Sequence, residues 1–269
     1  MTHLLQDTGK FRNTTDQFYT NETVAKKCIH TIVETIPETI HYLWIEPSAG
    51  NGAFFNNISF PKLGIDIEPK SNDIQKQDYL TWVPPKHPNS IVFGNPPFGR
   101  QSSTAKAFIA KSCKFAKVVA FILPRSFTKP SMYNAFPLSF HRVYSIDLEK
   151  NSFVLNEKPY DVPCVFQIWE KRDTERKVDE KIKPNGFQYV TNELYDIAFR
   201  RVGVNAGQCY EFGEKRSIQS HYFIKFDKYN KEIIKKINSH VFPSNTVGPR
   251  SLSKGEVNKV LNDLILSLV

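Results

Sequence analysis

The chain has 269 residues, 40% of them hydrophobic and 13% aromatic, with a formal net charge of +9. This length and composition predict one large α/β domain, with or without a small addition, and exclude a globally disordered chain. No apolar run approaches the ~20 residues of a membrane span, and residues 1–20 lack the apolar stretch of a secretory signal. We therefore expect a cytoplasmic protein.

The basic excess, 36 Lys and Arg against 27 Asp and Glu, favours a polyanionic partner such as nucleic acid, because binding one releases condensed counterions. The alternative is a basic surface without such a partner. The four cysteines form no C-x-x-C pair and have no histidine at zinc spacing. We predict buried or free thiols and no metal site.

Apolar spacing predicts a helix from Thr20 to Ile36, capped by Thr20 or Asn21 and ended by Pro37. A second helix is predicted over 103–116, and a hairpin connection over 151–163. Strands are predicted at 42–45, 63–67, 90–94, 118–123, 143–148 and 164–169, with a weaker one within 73–82. This alternation of strands and helices predicts a mostly parallel α/β sheet.

The charged run 171–183 is predicted to be a solvated linker between residues 1–172 and a small C-terminal region, 173–269. Short strands are predicted there at 187–190, 197–204 and 222–226, followed by two helices. The last helix opens with the capping box Ser253-x-x-Glu256 and carries an apolar stripe, which we expect to pack on its own domain.

A Gly-containing turn, Glu46-Pro47-Ser48-Ala49-Gly50-Asn51-Gly52, follows the first predicted strand. Ligands of parallel sheets bind beyond the carboxyl ends of the strands. Gly50 and Gly52 allow close backbone approach, and Glu46 can receive a charged or hydroxyl group. Residues 53–57 are expected to open a helix whose N-terminus favours a carboxylate. An ordinary βα turn is the alternative.

Two acids stand at the ends of the next strands. Asp66, in Gly64-Ile65-Asp66-Ile67-Glu68-Pro69, is placed to bond ribose hydroxyls. Asp78, in Gln77-Asp78-Tyr79-Leu80, is placed to accept a hydrogen bond from an adenine amino group. Solvent-facing turn acids are the alternative.

The segment Asn95-Pro96-Pro97-Phe98 directly follows the predicted strand 90–94. An aromatic amino group is a poor nucleophile because its lone pair is delocalised into the ring. The Asn95 side-chain oxygen and the Pro96 carbonyl can accept its two protons and make the nitrogen more nucleophilic, with the prolines stiffening the turn. Phe98 supplies an aromatic face for a base rotated out of its stack. A Pro-Pro turn with a core Phe is the alternative.

In this order the motifs resemble those of amino-group DNA methyltransferases of the class I Rossmann-like fold, in the gamma group that includes adenine-N6 enzymes. The resemblance covers about residues 15–170 and includes Asp16-Gln17-Phe18-Tyr19-Thr20 as a cofactor-clasping segment. It implies a seven-stranded, mostly parallel sheet, a small C-terminal extension and S-adenosylmethionine as cofactor. The implied cofactor-binding residues are Phe18, Tyr19, Thr20, Glu46, Pro47, Ser48, Gly50, Gly52, Asp66, Ile67, Asp78, Tyr79 and Asn95.

The resemblance further implies that Asn95, Pro96 and Phe98 are catalytic. Phe98 and Phe153 would hold the substrate base, although a core position for Phe153 is equally expected. Arg125 follows a central strand and is predicted to contact nucleic-acid backbone. The pair Arg200-Arg201, beside a Gly-containing loop, is predicted to reach phosphates or guanine edges, with a basic strand edge as the alternative.

We predict a site-specific DNA methyltransferase acting on adenine N6. Residues 184–269 are short for a full DNA recognition domain, which implies a short target, a partner subunit or RNA. The alternatives are methylation of adenine N6 or guanine N2 in RNA, of cytosine N4 or of a protein glutamine, and a non-catalytic subunit. Cytosine-C5 chemistry needs a nucleophilic cysteine, and Cys164 lies inside an apolar strand. A nicotinamide oxidoreductase would need a G-x-G-x-x-G turn.

Overall fold

The computed structural model describes residues 18–178, 180–243 and 250–268. The chain divides after Val178 into two compact units, called here the N-terminal and C-terminal units. Within the described ranges, no helix combines the length and the hydrophobicity that crossing a bilayer requires.

The N-terminal unit contains ten strands and three α-helices among its described residues. Its helices are α1 Glu22–Thr35, α2 Ser103–Ser112 and α3 Pro130–Tyr133. Its strands are β1 Tyr19–Thr20, β2 Leu43–Glu46, β3 Lys62–Asp66, β4 Gln75–Lys76, β5 Ser90–Gly94, β6 Val118–Pro124, β7 Phe140–Asp147, β8 Phe153–Leu155, β9 Lys158–Tyr160 and β10 Cys164–Lys171.

Seven of these strands form one sheet in the order β4-β3-β2-β5-β6-β10-β7. Neighbours from β4 to β6 are parallel, and β10 runs antiparallel to both β6 and β7. Every residue of β5 and β6 is buried, as expected for parallel strands that are covered on both faces. The predicted Rossmann-like α/β fold with a seven-stranded, mostly parallel sheet is confirmed.

The strand order places a topological switch point between β2 and β5. From β2 the chain moves outward to β3 and β4, and from β5 it moves the other way to β6. The loops that follow β2 and β5 therefore diverge and leave a crevice at their carboxyl ends. The turns that begin at Glu46 and at Asn95 border this crevice.

The helix expected from residues 53–57 is not formed. A single 3-10 turn, Phe55–Asn57, lies between β2 and β3. Three asparagines and Pro61 disfavour helix in a connection of only about 15 residues, and Phe54 and Phe55 are instead buried. The prediction that a helix N-terminus faces a ligand carboxylate here is therefore wrong.

The predicted hairpin at 151–163 is present as β8 and β9, and β1 pairs with β8 to make a three-stranded sheet. The register sets Tyr19 opposite Val154 and Thr20 opposite Phe153. The Asn21 side chain then caps α1 by accepting from the Thr23 amide. The segment around Tyr19 is thus fixed between a hairpin and a helix.

The C-terminal unit has an antiparallel sheet of β11 Phe187–Val190, β12 Ile197–Arg200, β13 Cys209–Glu211 and β14 His221–Phe226, in the order β11-β14-β12-β13. Helices α4 Lys231–Ser239 and α5 Lys254–Leu266 follow. The predicted capping box is formed, since Ser253 and Glu256 bond each other's backbone amides. The stripe of α5 packs within this unit, where Val257 and Leu261 are fully buried.

Candidate active site

A cavity of about 460 Å³ lies at the carboxyl ends of β2, β3 and β5. All of the predicted cofactor-binding residues except Gly52 line it, and so does Pro96. Gly52 has φ +84°, a backbone conformation that favours glycine, so the turn itself accounts for this residue. A cavity of this size is within the usual range for small-molecule sites.

The Asn95 side chain presents an unused acceptor to this cavity. Its Oδ1 atom is buried and has no hydrogen-bond partner among the described residues. Its backbone carbonyl is held by the Ser48 hydroxyl, which donates to it over 2.9 Å. This bond joins the turn after β5 to the turn after β2. Asn95 therefore has a fixed backbone and, at the cavity that it lines, a buried amide oxygen with no donor in the described part of the chain.

Glu46, the last residue of β2, is a buried carboxyl group in the same cavity. Its side chain is 2% exposed, and Oε2 has no partner in the described part of the chain. Burial raises the pKa of Glu46 well above its ordinary range, against a hydrogen bond from the Phe55 backbone that lowers it. A cation or an N–H donor bound here would stabilise the ionised form.

Asp66 ties the turns after β2 and β3 together. Its Oδ2 accepts from the Gly50 amide at 2.7 Å, and its Oδ1 accepts from the Glu68 amide at 2.8 Å. A carboxylate has about four acceptor positions, so two remain for a ligand in the cavity. Asp78 is exposed at the same cavity, and its Oδ1 accepts from the Leu80 amide at 2.8 Å.

The aromatic residues predicted to hold a base are covered by a third ring. Phe98 is 5% exposed and Phe153 is fully buried. The Phe18 ring packs edge-on against both, at centroid distances of 5.5 Å and 4.9 Å. Both predicted aromatics are therefore largely buried in the described structure, and each is in contact with Phe18.

Of the predicted arginines, Arg125 belongs to the N-terminal unit, and it does not line this cavity. Arg125 makes a two-pronged ion pair with Asp147, in which its Nε lies 3.2 Å from Oδ1. A contact between Arg125 and nucleic-acid backbone stays a prediction, and it would have to compete with this ion pair. Arg200 and Arg201 belong to the C-terminal unit and do not form a joint pair, because they serve opposite faces of its sheet, as described below.

Sequence reasoning missed Thr104 and Phe108, which bring α2 to the cavity wall, as well as Leu80 and Gly99. The sequence does contain a signal for Thr104 and Phe108, because the first turn of a helix that follows a strand-end motif lies beside that motif. Cys164 is 1% exposed in β10, and burial raises the pKa of its thiol. It has the environment of a core residue, as predicted.

Gly94, the last residue of β5, packs against Glu46, and its replacement tests how tightly this site is packed. Its φ is +121°, and an added Cβ would lie 3.1 Å from Glu46 Cγ. Gly94→Ala should therefore lower the free energy of unfolding by about 1–3 kcal/mol through strain and overpacking. Urea unfolding followed by circular dichroism measures this. The matched control is Gly255→Ala in α5, where the added Cβ meets nothing closer than 4.0 Å; equal stability of the two variants would contradict the packing argument.

No protein-family model and no curated protein matches this chain. Solved structures with partial similarity include a protein from Pyrococcus horikoshii that is provisionally named an RNA methyltransferase, with TM-score 0.47, 14% identity, and coverage of 60% of this chain and 91% of that one. Another, from Listeria monocytogenes, is provisionally named a class I S-adenosylmethionine-dependent methyltransferase, with TM-score 0.47, 13% identity, and coverage of 64% and 66%.

A third, an rRNA methylase from Streptococcus thermophilus, has TM-score 0.38 and 13% identity, and the match covers 54% of this chain and 96% of that one. Similarity at this level identifies no activity. The chemistry of the site has to be argued from its own residues.

Proposed function

We propose that this protein transfers a methyl group from S-adenosylmethionine to the exocyclic amino group of a nucleobase, with adenine N6 in DNA as the first candidate. The observation that carries the proposal is the Asn95 Oδ1 atom at the switch point of the sheet, a buried acceptor to which no described residue donates. Leaving such an atom unpaired costs about 1–3 kcal/mol. A ligand amino group that donates to Asn95 offsets this cost.

The chemistry follows from two acceptors on one rigid turn. Asn95 Oδ1 and the Pro96 carbonyl accept the two amino protons, which draws the nitrogen towards a tetrahedral, more nucleophilic geometry. S-adenosylmethionine, when bound, supplies an electrophilic methyl group on a sulfonium. As the N–C bond forms, the S–C bond of the sulfonium would break and leave a neutral thioether. No base has to remove a proton first, because the nitrogen becomes acidic only after it is methylated, and the proton would then pass to water. Most of the acceleration is then positioning, which the prolines and the Ser48 bond support.

The residues of the cavity fit this cofactor. Glu46 has a buried oxygen in need of a donor, which suits the ammonium of the methionine part. Asp66 retains acceptor capacity for ribose hydroxyls, and the exposed Asp78 carboxylate suits an adenine amino group. Tyr19 and Thr20 of β1 also line the cavity.

The net charge of +9 favours nucleic acid over a protein glutamine as the methyl acceptor. RNA is the second candidate, since the charge argument applies to both polymers and the same acceptor pair serves adenine N6 or guanine N2.

The first experiment is a labelling assay. The purified protein is incubated with tritiated S-adenosylmethionine and, separately, duplex DNA, single-stranded DNA or total RNA, and the labelled nucleoside is identified after digestion. Label in N6-methyladenine from DNA supports the proposal in full. Label in RNA or in another base keeps the reaction and changes the substrate. Absence of label in every polymer, with cofactor binding intact, counts against the proposed activity.

Phe18 gives a separate prediction about access of the base. Because its ring covers Phe98, a base can stack on Phe98 only after Phe18 moves. Phe18→Ala should therefore tighten binding of a single-stranded oligonucleotide several-fold at saturating S-adenosylmethionine, as measured by fluorescence anisotropy. The cofactor affinity of the variant is measured separately because Phe18 also lines the cofactor cavity. Weaker oligonucleotide binding at full cofactor occupancy would show that Phe18 supports the substrate site rather than covers it.

A further inference from the structure

One face of the sheet in the C-terminal unit carries Arg200, Arg216 and His221, which we call the basic cluster. Arg200 of β12 lies directly opposite His221 of β14 in the antiparallel register. The Arg216 guanidinium stacks on the Tyr210 ring at 3.8 Å, and that ring packs edge-on against His221 at 6.1 Å. Arg216 and His221 thus both contact the Tyr210 ring, and Arg200 lies beside His221 on the same face.

The neighbouring arginine belongs to the other face. Successive residues of an extended strand point to opposite faces of the sheet. Arg201 accordingly lies over the Tyr222 ring at 5.3 Å, while Arg200 shares a face with His221. The sequence offers Arg200 and Arg201 as one pair, but only Arg200 belongs to the basic cluster.

Two nitrogens of the basic cluster are buried without a partner among the described residues. They are Nε2 of His221, a residue that is 6% exposed, and Nε of Arg216. The other imidazole nitrogen of His221 is engaged by Ser220 Oγ at 2.9 Å and the Ser217 carbonyl at 3.3 Å. Unpaired buried nitrogens on cationic side chains are uncommon in folded proteins, and an anion is the kind of partner that such nitrogens bind.

The electrostatic balance of the basic cluster also favours an anion. Within the described chain, the acid that pairs with it is Glu214, whose side chain is 80% exposed and bonds Arg216 Nη2 at 2.8 Å. Burial lowers the pKa of His221, the Ser217 backbone raises it, and the charges of Arg200 and Arg216 lower it further. A bound anion would reverse the effect of the two arginines and favour the imidazolium, whose Nε2–H then donates.

We propose that the basic cluster binds a phosphate group of a polynucleotide backbone. Arginine forks and an imidazolium match the several acceptor oxygens of a phosphate. A free phosphate ion has the same chemistry, and the experiment separates the two sources. The proposal rests on the nucleic-acid part of the proposed function and not on methyl transfer itself.

The test is the salt dependence of oligonucleotide binding by the full-length protein. A fluorescent 20-nucleotide single strand and its duplex are titrated by anisotropy at several salt concentrations. Arg200→Gln and Arg216→Gln should each weaken binding about 10-fold at low salt, as for a lost charge-assisted contact. Each should also reduce the slope of log K against log salt by about one phosphate contact, roughly 0.7 for the single strand and 0.9 for the duplex.

The matched control is Arg201→Gln, which removes the same charge one residue away from the other face of the sheet. It should change the slope by less than half as much as Arg200→Gln. Equal effects of Arg200→Gln and Arg201→Gln, or no effect of Arg216→Gln, would overturn the proposal, because general charge would then explain the binding.

A spectroscopic measurement locates the site independently. The imidazole proton resonance of His221, assigned by its loss in His221→Gln, should shift when the oligonucleotide binds. Chloride at equal ionic strength should leave it in place. A shift with inorganic phosphate but none with the oligonucleotide would overturn the polynucleotide source. These readouts require no turnover, so failure of the methyl-transfer assay leaves them interpretable, and their failure leaves that assay unaffected.

Discussion

Replacing Asn95 with alanine should lower kcat by about 10²–10³-fold and leave the affinity for S-adenosylmethionine nearly unchanged. The reason is geometric, because in the proposed mechanism the lost oxygen binds the amino group that receives the methyl, while the cofactor contacts proposed for Glu46 and Asp66 remain. Single-turnover methyl transfer to the substrate found in the labelling assay measures the first effect, and calorimetric titration with S-adenosylmethionine measures the second.

The same variant should not lose folding stability. Asn95 Oδ1 has no hydrogen-bond partner among the described residues, so its removal breaks no bond to that oxygen and eliminates a desolvated polar atom. Asn72→Ala, at an exposed turn position, is the control for an asparagine without a role. Turnover by Asn95→Ala equal to that of Asn72→Ala would remove Asn95 from the mechanism and with it the proposed reaction.

Sequence reasoning located this site because its residues stand at strand ends. The run 118–124 and the segment 90–94 are apolar enough to be recognised as buried strands, and each is bounded by Pro or Gly. Once those strands are parallel, the polar turns after them share one edge of the sheet. That rule alone brings Glu46, Asp66 and Asn95 to one cavity, as the structure shows.

The structural features that sequence patterns do not predict depend on long-range contacts. The covering of Phe98 by Phe18 depends on β1 pairing with a hairpin more than 130 residues away, which no local pattern encodes. The helix expected after β2 is not formed, because the connection between β2 and β3 is too short and too rich in asparagine. Strand β13, of three residues, is below the length at which alternation is readable.

Arg200 and Arg201 in the C-terminal unit show a second limit of sequence patterns. Adjacency in the sequence suggests that Arg200 and Arg201 act together, although adjacent side chains of a strand point to opposite faces of the sheet. The partners that give Arg200 its setting, Arg216 and His221, come from a loop and from another strand. Charge clusters that are built across strands are visible only when the register is known.

The second large expected effect concerns Glu46. Its first consequence is a pH dependence of the folding stability. Its pKa is raised in the folded state, so between the ordinary value near 4.5 and the folded value the folded protein binds more protons than the unfolded chain. Stability therefore falls as pH rises through this window, by about 1.4 kcal/mol per pH unit for one proton, and is level above the folded pKa. Glu46→Gln should flatten this fall, whereas the exposed control Glu175→Gln should not. Urea unfolding followed by tryptophan fluorescence is suitable, because Trp44, Trp82 and Trp169 all lie in the N-terminal unit.

The raised pKa of Glu46 also predicts that cofactor binding releases a proton. If the carboxyl faces the ammonium of S-adenosylmethionine, the ligand's positive charge favours the ionised carboxylate, so that binding below the folded pKa expels up to one proton per site. Calorimetric titrations in two buffers of different ionisation enthalpy should then give different apparent heats, and the affinity should rise with pH. Glu46→Gln should bind at least 10-fold more weakly, as expected for a lost charge-assisted bond, and should show no buffer dependence. Buffer-independent heats with tight binding by the unmodified protein would place the ammonium elsewhere, and the unpaired oxygen of Glu46 would then need a different donor.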